Sequence, residues 1–263
     1  MIGSAFITAA LIFEVTVHNI RKSDRSPIWG LVQNIVTAMV MVSVFLLLYL
    51  ALGVRSSPIR GDFILYILSG IFMFLTHTQT VGAVGAGNAL DAMTKHQPIN
   101  TFILIVSSTL AVLYKQTLSL FVILGFYSLA IEPIHIDKPF QAFGMFLLAW
   151  FSGVCAGMVF LAAEPWWPKG VGVMKLFYQR GNMIASGKMF VANSLPGFMV
   201  ALFDWNPLFH IIDQTRGFVF INYNPHNSNL EYPIYVSLTL LMVGLMGEFV
   251  TRNAQSLSWS AGR

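Results

Sequence analysis

The sequence predicts an all-α, polytopic membrane protein. We expect six transmembrane helices, an N-terminal amphipathic interfacial helix and short re-entrant helices between spans five and six. Three observations predict this class. Of 263 residues, 56% are hydrophobic and only 10% are charged, against roughly 25% charged residues in an ordinary soluble domain. The mean hydropathy is +0.70, which makes lipid the solvent for most of the chain. Several separate apolar runs reach bilayer length, divided by polar segments containing Pro and Gly. The net charge of +4 points to cytoplasmic loops and anionic membrane lipids as partners, and not to nucleic acid. Cys155 stands alone, so it forms no intrachain disulfide and packs as a small hydrophobe.

The chain reads as one transmembrane domain, 1–263, in four parts: 1–26, 31–193, 194–231 and 232–251. Ile2 to Phe13 lacks the basic start and small-residue cleavage site of a signal peptide. Glu14, His18, Arg21, Lys22 and Arg25 recur on one side of a helical wheel, with Phe6, Ala9, Phe13 and Val17 on the other. That pattern predicts a basic amphipathic helix lying in the interface over 1–26. Span one is Leu31 to Gly53 and span two is Phe63 to about Val84. The segment "GAGNALDAMTKHQPIN" is too polar for lipid and predicts a separate short helix, Ala89 to His96, stopped before Pro98. The apolar region Ile99 to Ile131 is too long for one ordinary span and is interrupted by Lys115 and Gln116. It predicts an interfacial lead-in followed by span three from about Leu113. Phe140 to Ala163 is span four, and Val171 to Val191 is an imperfect span five carrying Lys175, Arg180 and Lys188. Ile234 to Thr251 is the last span.

With both termini cytoplasmic, the inside set is Arg21, Lys22, Arg25, Lys95, Lys169, Lys175, Arg252 and Arg263. The outside set is Arg55, Arg60, Lys138 and Arg216. Eight against four favours that orientation.

Between spans five and six lies "FDWNPLFHIIDQTRGFVF", Phe203 to Phe220. Asn206 is a good N-cap and Pro207 suits a first helical turn. A helix from Pro207 to Phe220 is about 20 Å long, too short to span. A second short segment, Leu195 to Phe203, precedes it behind Pro196. Two short helices suggest a re-entrant hairpin, tolerated where protein or water covers the break. Asp213 and Arg216 are three apart and able to pair. His210 and Asp213 also share a face, so they could act as a general base with its orienting carboxylate. No nucleophile motif or second carboxylate accompanies them, and a polar packing face is the competing reading.

The six histidines lack metal-ligand spacing. "GNMIASGKM" has five residues between its glycines and Met189 after the lysine, so it fails as a phosphate-binding loop. Arg180 and Lys188, eight apart on one predicted helix, suggest either a hydrated conduit for an anionic or sugar-rich substrate or snorkelling and pairing with Glu164 or Asp204. Tyr178 and Phe190 beside them are conduit candidates of the aromatic kind, since aromatic faces stack on sugar rings.

Three stretches together carry a resemblance. "RKSDRSPIWG" is similar to a basic turn after an interfacial helix. "MIASGKMFVANSLPGF" is similar to an "SG-aromatic … LP" segment. "WNPLFHIIDQTRGFVF" is similar to an "NP-L-x-H-x-I-[ED]-x-x-R" signature, the most specific of the three. Over almost its whole length the chain resembles the membrane permease subunit of type-2 ATP-binding-cassette polysaccharide exporters, the capsule and O-antigen class. Lys115, Gln116 and Lys188 depart from the family pattern. The resemblance implies a homodimer in the bacterial inner membrane bound to two copies of a nucleotide-binding ATPase subunit. That partner would use ATP and Mg, and this chain would hold no cofactor. It implies a lipid-linked polysaccharide substrate, capsular in the first instance, and an envelope-spanning export partner. It makes Trp205, Asn206, Pro207, His210, Asp213 and Arg216 a periplasmic gate. It places ATPase coupling on Asn88, Asp91, Lys95, His96 and Gln97, bordered by Arg21, Lys22 and Arg25. Three alternatives stay open: an intramembrane lipid or glycan transferase using His210 and Asp213, a permease for teichoic acid or a small drug, and a proton-driven transporter.

Overall fold

The long apolar runs fold as long helices. The computed structural model describes residues 2–22, 27–51, 53, 58–94 and 101–261, and the side chains of all these except 2–5, 22, 27, 86–94 and 253–261. Among the described residues the regular elements are α1 (Ile2–Lys22), α2 (Pro27–Ala51), α3 (Phe63–Thr94), α4 (Thr101–Ala130), α5 (Pro139–Ala163), α6 (Pro168–Ala185), α7 (Gly197–Phe203), α8 (Pro207–Val219) and α9 (Glu231–Ala261). A single 3-10 turn, Ala192–Ser194, lies between α6 and α7.

Among the described residues five stretches are long and apolar enough to cross a membrane: Ile28–Ala51, Phe63–Gly85, Thr101–Ala130, Pro139–Ala163 and Glu231–Arg252. The protein is therefore a helical membrane protein. The apolar stretch of α3 is 83% buried, against 17% in α2 and α9. So α3 is the hub, and α2 and α9 turn Val36, Leu47, Met246 and Phe249 outward. Such all-round apolar helices suit lipid or a partner helix. α6 is not among the five, because it carries Lys169, Lys175 and Arg180 within 18 residues.

Small residues set the closest crossings. A Cβ on Gly153 of α5 would stand 2.6 Å from the His77 carbonyl oxygen, and one on Gly157 2.7 Å from Val84 Cγ2. Gly244 and Gly247 of α9 meet Met158 and Ala162 in the same way. These pairs run in step, so α3, α5 and α9 are parallel to one another. Without a hydrophobic drive between helices in lipid, close backbone approach supplies much of the packing. Gly157→Leu should push α3 and α5 apart and cost about 1–3 kcal/mol, read as a lower melting temperature in detergent. An unchanged melt would show that the crossing tolerates bulk.

Three sequence expectations change. The span five expected over Val171 to Val191 is the shorter α6, which ends at Ala185 and is not among the five stretches. The lead-in and span predicted for 99–131 are one continuous helix, α4, because Lys115 and Gln116 do not break it. Gln116 is buried and its Nε2 donates to Asn34 Oδ1 of α2 at 3.3 Å, as Gln79 Nε2 of α3 does at 3.0 Å. Asn34 Nδ2 in turn donates to Ser119 Oγ at 2.8 Å. Asn34 of α2, itself bonded to Gln79 of α3, thus accommodates polarity that read as an interruption. The separate helix Ala89 to His96 is instead the end of α3, which runs on to Thr94, with His96 outside the described residues. α1 packs along α4, where the Ser107 hydroxyl donates to the Ile12 carbonyl at 3.2 Å.

Candidate functional site

The site forms where α6 stops. Ser186 caps α6 and Gly187 follows at φ +74°, a left-handed conformation that favours glycine. A Cβ there would also meet Phe209 Cδ2 at 2.8 Å. The next residues, Lys188 to Phe190, are non-helical yet lie among α2, α3 and α8. Buried carbonyls without helical partners must be satisfied from elsewhere, and Arg216 of α8 does most of this. Its Nη1 donates to the Gly187 carbonyl at 2.9 Å and the Phe190 carbonyl at 2.6 Å, and its Nη2 donates to the Lys188 carbonyl at 2.9 Å. The Tyr49 hydroxyl of α2 donates to the Met189 carbonyl. Four consecutive carbonyls are thereby engaged.

Arg216 is 1% exposed, and its guanidinium lies 4.3 Å over the Tyr66 ring. Gly70 makes room for it, since a Cβ there would stand 3.1 Å from both Arg216 Nη2 and Lys188 Cα.

Lys188 is 3% exposed. Its Nζ sits 3.4 Å from the Phe74 ring centroid and 5.2 Å from that of Phe45, with no hydrogen-bond partner among the described residues. Phe74 is about 16 Å along α3, near the middle of the apolar stretch Phe63–Gly85. An ammonium held there by ring faces alone is costly.

The remaining signature residues build the support. Asn206 caps α8, its Oδ1 accepting from the Leu208 amide at 3.0 Å. Its Nδ2 donates to Asn182 Oδ1 at 2.8 Å and to the Ala185 carbonyl at 3.0 Å, which ties α8 to the last turn of α6. Pro207 opens α8, as its fixed φ allows. Trp205 is exposed and its indole donates to the Leu202 carbonyl at 2.6 Å, while its own carbonyl accepts from the Tyr232 hydroxyl at 2.6 Å. His210 Nδ1 accepts the Asn229 amide at 3.1 Å, so Nε2 carries the proton donated to the Asp204 carbonyl at 2.6 Å.

The expected Asp213–Arg216 pair does not form. Asp213 accepts from the Tyr223 hydroxyl on Oδ1 and from the Ser228 hydroxyl on Oδ2 at 2.7 Å, anchoring the 223–228 loop. Burial, and then the neighbouring carboxylate, push the Tyr223 hydroxyl far above its ordinary range, so Tyr223 stays protonated as the donor. His210 and Asp213 share a helix face but not a bond. Both nitrogens of His210 serve the backbone, and both oxygens of Asp213 serve hydroxyls, so no general-base dyad is assembled.

The conduit candidates separate. α6 ends at Ala185, so Arg180 is exposed on a helix while Lys188 is buried in the turn beyond it. They do not share a face, and neither pairs with Glu164 or Asp204 among the described residues. The Tyr178 hydroxyl meets His77 Nε2 at 2.8 Å, and His77 Nδ1 meets Ser152 Oγ at 2.8 Å. Phe190 stacks on Phe203 at 5.2 Å. Of the coupling candidates, Arg21 is exposed near the end of α1. Lys22, Asn88 and Asp91 lie in helices, their side chains not described, and Arg25, Lys95, His96 and Gln97 lie outside the described residues. Sequence reasoning missed Tyr49, Tyr66 and Tyr223. A lone tyrosine in an apolar run or polar loop carries no spacing signal.

Among the described residues no group of three His, Cys, Asp or Glu side chains is placed to hold a metal ion. Comparison with protein-family models matched none, and comparison with curated proteins found no significant relative.

Proposed function

We propose that this chain is the membrane permease subunit of an ATP-driven polysaccharide exporter, acting as a homodimer in the bacterial inner membrane with two separate ATPase subunits. The observation that carries this reading is the clamp. The two stretches on which the resemblance chiefly rests, "SGKMF" and "NPLFHIIDQTR", pack as one buried unit through Arg216. The engaged nitrogens of His210 and oxygens of Asp213 favour a structural role over the transferase alternative.

In this reading α6 is the sixth crossing and 186–219 the re-entrant element. Lys175 Nζ lies 2.8 Å from a Cβ on Gly85, Tyr178 meets His77, and Lys188 meets Gly70. α6 and the turn after it thus retrace α3 antiparallel from Gly85 to Gly70, about 22 Å of depth. Six crossings return both termini to one side, the cytoplasmic one by the distribution of Lys and Arg. The end of α3 and the start of α4 lie at that side and would meet the partner ATPase, together with Arg21, Lys22 and Arg25. ATP and Mg would act only in the partner. A lipid-linked glycan, capsular by the resemblance, would pass between protomers, with Lys188 reached when the 186–190 turn moves, and leave to an envelope-spanning acceptor.

The test is a deletion strain together with purified protein. We expect surface glycan to be lost, its lipid-linked form to accumulate inside, and the purified chain alone to hydrolyse no ATP. Intact surface glycan with altered drug sensitivity would overturn the substrate assignment. Loss of lipid-substrate turnover in His210→Ala and Asp213→Asn, with assembly intact, would favour the transferase. ATP hydrolysis by the chain alone would overturn the permease reading.

A further inference from the structure

Two cavities adjoin at the end of the bundle where α3 and α5 begin. One, of 530 Å³, lies beneath the 131–138 loop and is lined by Arg60, Asp62, Glu132, His135 and Asp137. The other, of 370 Å³, is a groove between α3, α4, α5 and α8, walled by residues such as Phe72, Leu124, Phe143 and Phe146. Both volumes fall in the range of small-molecule sites, about 300–1,000 Å³. They share Leu65, Ile136 and Val219, so a charged mouth opens onto an apolar groove.

The groove is apolar in effect as well as composition. Its two hydroxyls serve their own helices: Ser69 donates to the Tyr66 carbonyl at 2.8 Å and Thr215 to the Ile211 carbonyl at 2.7 Å. Its wall is fixed, because the amides of Asp137 and Lys138 donate to the carbonyls of Val219 and Phe218 at 3.2 and 2.8 Å. The mouth residues 60–62 and 131–138 stand just outside the apolar stretches that begin at Phe63 and Pro139. That is headgroup depth, with the groove in the acyl region.

The charges of the mouth select among headgroups. Asp62 Oδ1 accepts the Ile64 amide at 2.9 Å, and Asp137 lies 3.9 Å from Lys138. The side chains of Arg60 and Glu132 are exposed and, among the described residues, make no hydrogen bond or ion pair, while the Glu132 amide donates to the Tyr127 carbonyl at 3.3 Å. A cation and a carboxylate at one mouth match a headgroup with a phosphate and a primary ammonium. An anionic headgroup would meet Glu132, Asp62 and Asp137 with no cation of its own, and a quaternary amine has no proton to donate to Glu132.

We propose that the combined site binds a zwitterionic aminophospholipid, with one acyl chain in the groove, the phosphate on Arg60 and the ammonium on Glu132. This rests only on the protein being embedded in a membrane and stands whether or not the exporter reading does.

The test is native mass spectrometry of the full chain in mild detergent, with phosphatidylethanolamine, phosphatidylglycerol or phosphatidylcholine added at equal concentration. Phosphatidylethanolamine should be retained about tenfold better than the others, the worth of one charge-assisted hydrogen bond. Glu132→Gln should erase that preference, and Ala142→Trp, which fills the groove, should abolish retention. Glu132 is exposed, so Glu132→Gln tests the site even where Ala142→Trp does not fold. Equal retention of all three lipids by the wild type, preference for phosphatidylglycerol, or a preference unchanged in Glu132→Gln would each overturn the proposal. So would closure of the groove by a second copy of the chain, seen as a lipid-free dimer cross-linked through Phe121 or Phe140.

Discussion

Arg216→Ala is expected to abolish stable assembly. The substitution leaves the carbonyls of Lys188 and Phe190 without a donor and that of Gly187 with only the Phe190 amide at 3.4 Å, and it removes the stacking on Tyr66. Each unsatisfied buried group costs about 1–3 kcal/mol and the lost ring contact about 0.5–2 kcal/mol, so the loss is at least about 2–3 kcal/mol before any relaxation. That is a large part of the whole stability of a typical domain, about 5–15 kcal/mol. The expected result is aggregation on size exclusion, or a collapsed melting temperature in detergent. Arg216→Lys should recover only part of the loss, because an ammonium cannot reach three carbonyls from one planar fork. A monodisperse Arg216→Ala protein melting close to the wild type would show that the clamp is not structural.

Lys188→Met is expected to act in the opposite direction. The ammonium is buried against Phe45 and Phe74 with no hydrogen-bond partner among the described residues. Two ring faces return about 2 kcal/mol each at a desolvated site, less than the cost of keeping a charge from water. Methionine retains the length and fills the same space against the rings. The variant should be more stable by about 1–4 kcal/mol, the range for buried ion pairs replaced by apolar side chains. On the exporter reading it should also lose transport, because stabilising a strained functional position commonly costs activity. A Lys188→Met protein that is both less stable and fully active would make the ammonium a packing element and remove it from the conduit.

The two residues also show what was legible in the sequence. Asn206 and Pro207 announced the start of α8 correctly, because capping and a fixed φ are local properties. Phe140 to Ala163 was legible for the same kind of reason, since an apolar run of bilayer length has one stable form in lipid. The partners of Arg216 were not legible. They are backbone carbonyls 26 to 29 positions earlier in the chain, and a carbonyl has no letter in a sequence. The spacing of Asp213 and Arg216 suggested a local pair, but tertiary donors and acceptors on both sides outcompeted it. Lys188 read as part of a helix because the run around it is apolar. The positive φ at Gly187 ends the helix two residues after Ala185, and turns a predicted stripe with Arg180 into two unrelated environments.

The amides joining α2, α3 and α4 bear on how the chain is made. Asn34 emerges from the ribosome long before Gln79, and longer still before Gln116, yet all three meet at one point. A lone asparagine or glutamine side chain is poorly soluble in hydrocarbon. The first helix of the trio therefore gains by lingering beside the insertion machinery until the third has been synthesised, and the three then partition into lipid as a unit. Asn34→Leu should free α2 to leave early, uncoupling its insertion from translation of the following eighty residues.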